Sequence, residues 1–304
     1  MKGIILAGGL GRRLYPITKV ISKQLLPVYD KPMLYYPLST LMSAGIRDIL
    51  LISTPDDRPK FQELLGRGER FGIHISYAVQ SNPDGLVQAL LIGERFICHE
   101  SCAMVLGDNF FYGDRLAQNM REAVETAKIG CATIFCRYVK TPERFGVAEL
   151  DRDGKVLSVE EKPEHPKSNY CITGLYIYDG SVVEKAKKVH PSPRGELEIT
   201  DLNRLYLDEG RLRSQILDQS FTWMDTGTVD SLMKAAAIVE TIQKRQGVVI
   251  CAPEEIAYRA GWISRKTLLE AAELHRESFY GEHLRRTAEE GPLYEGPYFK
   301  ESCP

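Results

Sequence analysis

"KGIILAGGLGRRLYP" (Lys2–Pro16) is the stretch on which the fold turns. Residues 2–7 form a short aliphatic run that reads as a buried strand. Gly8, Gly9 and Gly11 follow at once, then Arg12 and Arg13. Glycine lets backbone N–H groups approach phosphate oxygens, and an adjoining cation neutralises them. A P-loop requires Lys-Ser or Lys-Thr after its glycines, and none is present. A dinucleotide-binding Rossmann fingerprint requires a third glycine where Leu14 stands. Two readings remain open on these residues alone. One is a Gly-rich loop with its own arginine, suited to a highly charged group such as a triphosphate. The other is a tight strand-to-helix turn with solvated arginines.

Working outward, the spacing predicts a helix over 34–45, closed by Gly45, and strands over 46–54 and 73–80. A short helix is expected over 58–68 and another over 86–97. "CAMVLGDN" (102–109) reads as a strand. This β-α-β-α order predicts an α/β fold with a mostly parallel, Rossmann-like sheet and helices on both faces. Ligands in such sheets lie beyond the carboxyl ends of the strands, where "LAGGLGRR" and "LGDN" both fall. From about residue 130 the pattern becomes strands joined by turns such as Asp153-Gly154, a β-rich insertion. A helix over 230–247, ended by Gly247, and one or two helices over 264–290 follow. The "GPLYEGPYFKESCP" tail reads as irregular. The expected organisation is an α/β domain over 1–240 and a helical or irregular segment over 241–304. Within the first, the character changes near residue 130, dividing about 1–130 from about 131–228.

The 304 residues are 43% hydrophobic and 26% charged, with a net charge of −2, which gives no reason to expect nucleic acid or an anionic membrane as a partner. No apolar run is long enough to span a bilayer, and the N-terminal one is too short and Gly-broken for a signal peptide. The seven cysteines show no zinc-ligand spacing and read as reduced thiols of a cytoplasmic protein.

Charged residues at strand ends carry the chemistry. Lys23 lies on a segment pinned by Pro27 and Pro32, where a lysine can be a point charge for a phosphate or a plain surface residue. Asp108 closes "VLGD" and Asp225 closes "FTWMD", each handing a carboxylate from a strand to the crevice. Asp225 can equally be the N-cap of the following helix. Glu161 and Lys162 in "EEKP" can be a site or a solvated charge run.

"GGLGRRLYPIT" (8–18) and "SKQLLPVYDKPMLYYPLSTLMSAGIRDILLIST" (22–54) resemble the N-terminal signature of the sugar-phosphate nucleotidyltransferases. The resemblance continues, in family order, through "NPDGLVQAL" (82–90), "VLGDNFFYG" (105–113), "PERFGVAEL" (142–150), "VEEKPEHPKSNYCITGLYIYD" (159–179), "RGELEITDLN" (194–203) and "MDTGT" (224–228). It covers roughly residues 1–260 and is strongest toward the subgroup that couples dTTP to glucose 1-phosphate, giving dTDP-glucose and pyrophosphate.

The resemblance implies a nucleotide half over about 1–130, a sugar-phosphate half over about 131–228, and Mg²⁺ held by Asp108 and Asp225. It implies a triphosphate held by Arg13 and Lys23, with Gly8, Gly9, Gly11 and Gln24 against the nucleotide and Gln80 and Gly85 framing the base. It places Asn109, Gly146, Glu161, Lys162 and Ile172 on the sugar-phosphate side, with Lys162 on the 1-phosphate. It further implies a homotetramer at the first step of dTDP-deoxysugar synthesis, such as dTDP-rhamnose. A uridylyl- or cytidylyltransferase, or a catalytically silent nucleotide-sugar sensor, are the alternatives. The chain departs from the family pattern at Leu10 and Arg12, where relatives commonly carry hydroxyl residues. It also departs at Asp114, often His, and lacks a Gly-Arg-Gly in the segment "LDQSFTWMD" (217–225).

Overall fold

The computed structural model describes residues 1–113 and 115–291. Asp114 and residues 292–304, which include most of the Gly/Pro-rich tail and Cys303, lie outside them. Chain order opens with β1 (Lys2–Ala7), the short hairpin β2 (Pro27–Val28) and β3 (Lys31–Pro32), α1 (Tyr35–Ser43), β4 (Asp48–Ser53), α2 (Arg58–Leu65) and β5 (His74–Val79). Then come α3 (Gln88–Ile92), α4 (Glu94–Ile97), β6 (Cys102–Leu106), β7 (Asn109–Tyr112), α5 (Leu116–Lys128) and β8 (Ala132–Tyr138). The hairpin β9 (Gly146–Leu150) and β10 (Val156–Glu161) leads to β11 (Tyr170–Tyr178), α6 (Val182–Ala186), α7 (Ile199–Asp208) and β12 (Leu212–Leu217). Finally come β13 (Thr222–Asp225), α8 (Val229–Gln246), α9 (Pro253–Arg259), α10 (Arg265–Leu274) and α11 (Phe279–Glu290).

Among the described residues, nine strands form the central sheet. It is parallel through β5-β4-β1-β6 and becomes mixed where β11 runs antiparallel to β6. Beyond β11 lie β8 and its parallel neighbour β12, while the β9–β10 hairpin joins the amino-terminal half of β11. The chain steps from β1 outward to β4 and β5, then crosses back to place β6 on the other side of β1. This reversal is a topological switch point, and it opens a crevice at the carboxyl ends of β1 and β6. The Gly8–Arg13 loop and Asp108 are the segments that leave those ends.

Alternation along the strands sorts the core into two layers. Ile5, Ile49, Leu51 and Val105 pack against α1, α5 and the carboxyl-terminal helices α9, α10 and α11. Ile4, Leu50, Ile52 and Met104 pack on the opposite face against α3, α4, α6 and α7. Helices therefore cover both faces, as the alternating pattern predicts. A third cluster seats Leu232, Ala235 and Val239 of α8 against Val28, Met33 and Phe110.

Several boundaries differ from the sequence expectation. The helix expected over 86–97 breaks at Gly93, which caps α3 and starts α4. The strand expected over 102–109 ends at Leu106. Gly107 and Asp108 then turn the chain into β7, which pairs with β13 rather than with the large sheet. The helices α5, α6, α7 and α9 have no counterpart in the sequence expectation. Among the described residues no helix is long and apolar enough to cross a membrane. The described cysteines are free, and all but Cys98 are buried.

Candidate active site

The loop after β1 is built on Gly11, whose φ of 60° starts a single turn of 3₁₀ helix over Arg12–Leu14. Its carbonyl accepts the Leu14 N–H at 2.8 Å and the Thr18 hydroxyl at 2.7 Å. This fixes where Arg13 leaves the backbone. Gly8 is buried beneath the loop, and a Cβ there would lie 2.3 Å from Gln80 Oε1. Gly9 faces Lys23, whose Nζ would be 3.6 Å from such a Cβ. The requirement for glycine is thus close approach at Gly8 and backbone conformation at Gly11.

Asp108 and Asp225 meet because β7 and β13 are antiparallel neighbours with Asp225 opposite Asn109. The Asp108 carbonyl accepts both the Thr226 N–H, at 3.0 Å, and the Thr226 hydroxyl, at 2.7 Å. Thr226 is fully buried. The helix after it begins at Thr228, whose side chain caps α8 in a reciprocal capping box with Ser231. Asp225 is therefore free of the N-cap role and turns its carboxylate into the crevice. A Thr226→Val change removes one of two hydrogen bonds to a buried carbonyl. It should cost about 0.5–1.5 kcal/mol of stability, read as a lowered melting temperature.

The two carboxylates differ in environment. Lys23 Nζ forms an ion pair with Asp108 Oδ2, and both side chains are nearly buried. Burial pushes the Asp108 carboxyl up, but the Lys23 charge, with hydrogen bonds from Lys23 and Asn109, holds it below its ordinary range. Asp225 is raised by burial and by the neighbouring Asp108 charge. Arg13 Nη2, 4.0 Å from Asp225 Oδ2, and the Gly227 N–H, 2.9 Å from Oδ1, offset only part of this.

A cavity of about 280 Å³ runs from this pair toward the sugar-phosphate candidates. Gly146, Glu161, Lys162, Ile172 and Asn109 all line it, together with Arg13, Asp108 and Asp225. Glu161 is gripped by the Thr200 hydroxyl and approached by Arg194 at 3.5 Å and Lys162 at 3.3 Å. A Cβ on Gly146 would stand 3.2 Å from Thr200 Oγ1 and 3.4 Å from Glu161 Oε2. Lys162 has a φ of 43°, an uncommon conformation for a side-chain-bearing residue, and its N–H donates to Phe145 O at 3.0 Å. In the "EEKP" run, Glu161 is half-buried at the strand end and Lys162 is exposed, and both border the cleft.

A second lobe of the same cleft, about 410 Å³, is lined by Gly9, Lys23, Gln24, Gln80, Pro83 and Gly85. It shares Arg13, Asp108, Glu161 and Lys162 with the first. Gln80 donates from Nε2 to Gln88 Oε1 at 2.5 Å, and Gln88 donates to Asp84 at 2.9 Å. Gly85 has a φ of 109°, and a Cβ there would lie 2.4 Å from the Leu197 carbonyl oxygen. A Gly85→Ala change meets both forbidden backbone and forbidden space. It should destabilise the protein by roughly 2–4 kcal/mol, seen as a lower urea midpoint.

All the expected site residues therefore converge on one cleft except Gly8, which lies beneath it. Leu10 and Arg12 line its outer mouth with Gly11 and Gly227. The carboxylate pair is a hard-oxygen set. Among the described residues no group of three or more His, Cys, Asp or Glu could hold a metal ion. Two carboxylates fit a Mg²⁺ that takes its remaining ligands from water and substrate phosphates.

A nucleotidyl transferase family model matches residues 2–242. The chain belongs to the nucleotidyl transferase family. Glucose-1-phosphate thymidylyltransferase of Neisseria meningitidis is 56% identical to this nucleotidyl transferase over 94% of this chain and 99% of that one. The enzyme of the same name from Xanthomonas campestris is 55% identical over 96% of this chain and 99% of its own. A Bacillus anthracis protein solved in complex with a sucrose is 42% identical, with a TM-score of 0.72, covering 78% of this chain and 94% of that one.

The cleft of this nucleotidyl transferase also contains residues that sequence reading did not single out. Phe145, Tyr176, Thr200 and Trp223 complete the sugar-side wall. Phe145 and Trp223 meet edge to face, with centroids 5.3 Å apart. The one signal for Trp223 was its place two residues before Asp225, which on a strand puts both on the same face.

Proposed function

We propose that this nucleotidyl transferase is a glucose-1-phosphate thymidylyltransferase, joining dTTP and α-D-glucose 1-phosphate to give dTDP-glucose and pyrophosphate. The observation that carries the reading is a single cleft. The glycine loop with Arg13 and Lys23, the carboxylates Asp108 and Asp225, and the Glu161–Lys162 pair all border it. The names of relatives at 55–56% identity over nearly the whole chain supply the nucleotide and the sugar.

Both substrates are anions, so positioning and charge neutralisation dominate, and no covalent intermediate is needed. A phosphate oxygen of glucose 1-phosphate attacks the α-phosphorus of dTTP. The new P–O bond forms as the bond to the β-phosphate breaks, and pyrophosphate leaves with that electron pair. The attacking oxygen is already ionised at neutral pH, so the cleft need not supply a general base. Mg²⁺ held by Asp108 and Asp225 would neutralise charge on the α-phosphate and on the pyrophosphate as it departs. Arg13 and Lys23 stabilise the growing charge on the leaving group. Lys162 holds the 1-phosphate, and Glu161, fixed by Thr200, accepts hydrogen bonds from glucose hydroxyls. The backbone after β1 lies against the phosphates, while Gln80 and the rigid turn to Gly85 frame the base.

The same likeness to the family supports a homotetramer acting at the entry to dTDP-deoxysugar synthesis, dTDP-rhamnose included. The free buried cysteines fit a cytoplasmic setting. A panel of nucleoside triphosphates tests the base assignment: with glucose 1-phosphate and Mg²⁺, pyrophosphate release should be fastest with dTTP and dUTP. Faster release with UTP or CTP would overturn it.

A further inference from the structure

Asn109 does more than line the cleft. Its Oδ1 accepts the indole N–H of Trp223 at 2.7 Å and the backbone N–H of Gly174 at 3.3 Å. Both partners can only donate, so this end of the amide must be its carbonyl. The opposite end is therefore the NH₂ group, and it donates to Asp108 Oδ1 at 3.2 Å. Lys23 engages the other oxygen of the same carboxylate, Oδ2. The Asp108 carboxylate is thus held at both ends, once by a charge and once by an amide of fixed orientation.

The strand pairing explains why Trp223 reaches Asn109. Asp225 stands opposite Asn109, and the residue two positions along β13 shares that face as a diagonal neighbour. Trp223 also packs edge to face on Phe145, while Asn109 is almost fully buried. Without the indole N–H, only the longer Gly174 contact would keep the carbonyl in place. The amide could then turn over and face the Asp108 carboxylate with its own oxygen, setting two acceptors against each other.

We infer that Trp223 is a positioning residue for nucleotidyl transfer: its indole N–H locks the Asn109 amide so that Asn109 donates to Asp108 and fixes that carboxylate for the cation. This rests on the reading of Asp108 as a cation ligand. Partners one step removed from a metal commonly set its affinity through such orientation.

The test uses Trp223→Phe, which deletes the N–H and keeps an aromatic ring against Phe145. Mn²⁺ is titrated into the full-length protein with dTTP and no sugar phosphate, so that no turnover occurs, and binding is read by water-proton relaxation. The half-saturating Mn²⁺ concentration should rise about tenfold. Asn109→Ala should give a similar rise, and the double variant no more than the larger single effect. A purely structural contribution from Trp223 would instead add to that of Asn109→Ala. Unchanged Mn²⁺ binding in Trp223→Phe, or additive effects, overturns the relay. If Trp223→Phe does not fold, unchanged binding in Asn109→Ala overturns it equally. Failure of the wild-type protein to bind Mn²⁺ with dTTP would overturn the cation reading itself. Tight wild-type binding matched by Trp223→Phe would sink the relay alone.

Discussion

Asp108→Asn and Asp225→Asn should each lower turnover by roughly 10²–10³-fold, the scale of losing one preorganised charge-stabilising group. The two variants should nevertheless shift the stability of the ligand-free protein in opposite directions. Asp108 is ionised in the fold because Lys23 is paired with it. Removing its charge leaves a nearly buried ammonium without a counter-ion, at a cost of roughly 1–3 kcal/mol. Asp225 is the reverse case, because burial and the Asp108 charge raise its pKa. A carboxyl raised on folding contributes its full stability only below its unfolded pKa, and loses it as pH rises through the folded value. At neutral pH the Asp225 carboxylate therefore strains the free protein. An amide there can still accept the Gly227 N–H. Asp225→Asn should melt higher than wild type at pH 7, whereas Asp108→Asn should melt lower. For Asp108 the sign is opposite: a carboxyl depressed on folding gives stability above its unfolded pKa, lost as pH falls through the folded one. Near wild-type turnover in either variant at limiting Mg²⁺ would remove that residue from the cation site.

Lys23→Met carries the second large effect. Lys23 stands between the Gly9 backbone and the Asp108 carboxylate, with Arg13 on the same cleft. Its loss should cut kcat/KM for dTTP by roughly 10²–10³-fold. On the proposed placement of glucose 1-phosphate at Glu161 and Lys162, its KM should change little. The loss also removes the partner that keeps Asp108 ionised, so the acid limb of the rate profile should move to higher pH. Lys23→Arg keeps the charge. Its planar fork does not match a compact, nearly buried point-charge site, so rescue should be partial. Equal losses for both substrates, with an unmoved acid limb, would contradict this placement.

Much of this architecture was legible in the chain because local rules decided it. The aliphatic run 2–7 and its glycines fixed β1 and the loop after it. Gly247 stops α8 with a φ of 66°, as a C-terminal glycine should. What was hidden depended on contacts distant in sequence. Asp225 reads equally well as a helix cap until Thr228 takes that role. Asn109 and Trp223 are 114 residues apart, and no local pattern announces that the second orients the first. Tyr176 and Thr200 join the sugar-side wall only because β11 and α7 pack beside the β9–β10 hairpin. Gly93 shows the opposite failure: helical periodicity runs through residues 86–97, yet the chain breaks there, where a Cβ would stand 3.1 Å from the Ala89 carbonyl oxygen.

The central claim is that one cleft joins a nucleotide to a sugar phosphate with a divalent cation between Asp108 and Asp225. It is tested most directly by following pyrophosphate and dTDP-glucose together from dTTP and glucose 1-phosphate. The prediction is equal amounts of both products, formed only when both substrates and Mg²⁺ are present. Pyrophosphate released from dTTP without glucose 1-phosphate, or at the same rate in excess chelator, would contradict it.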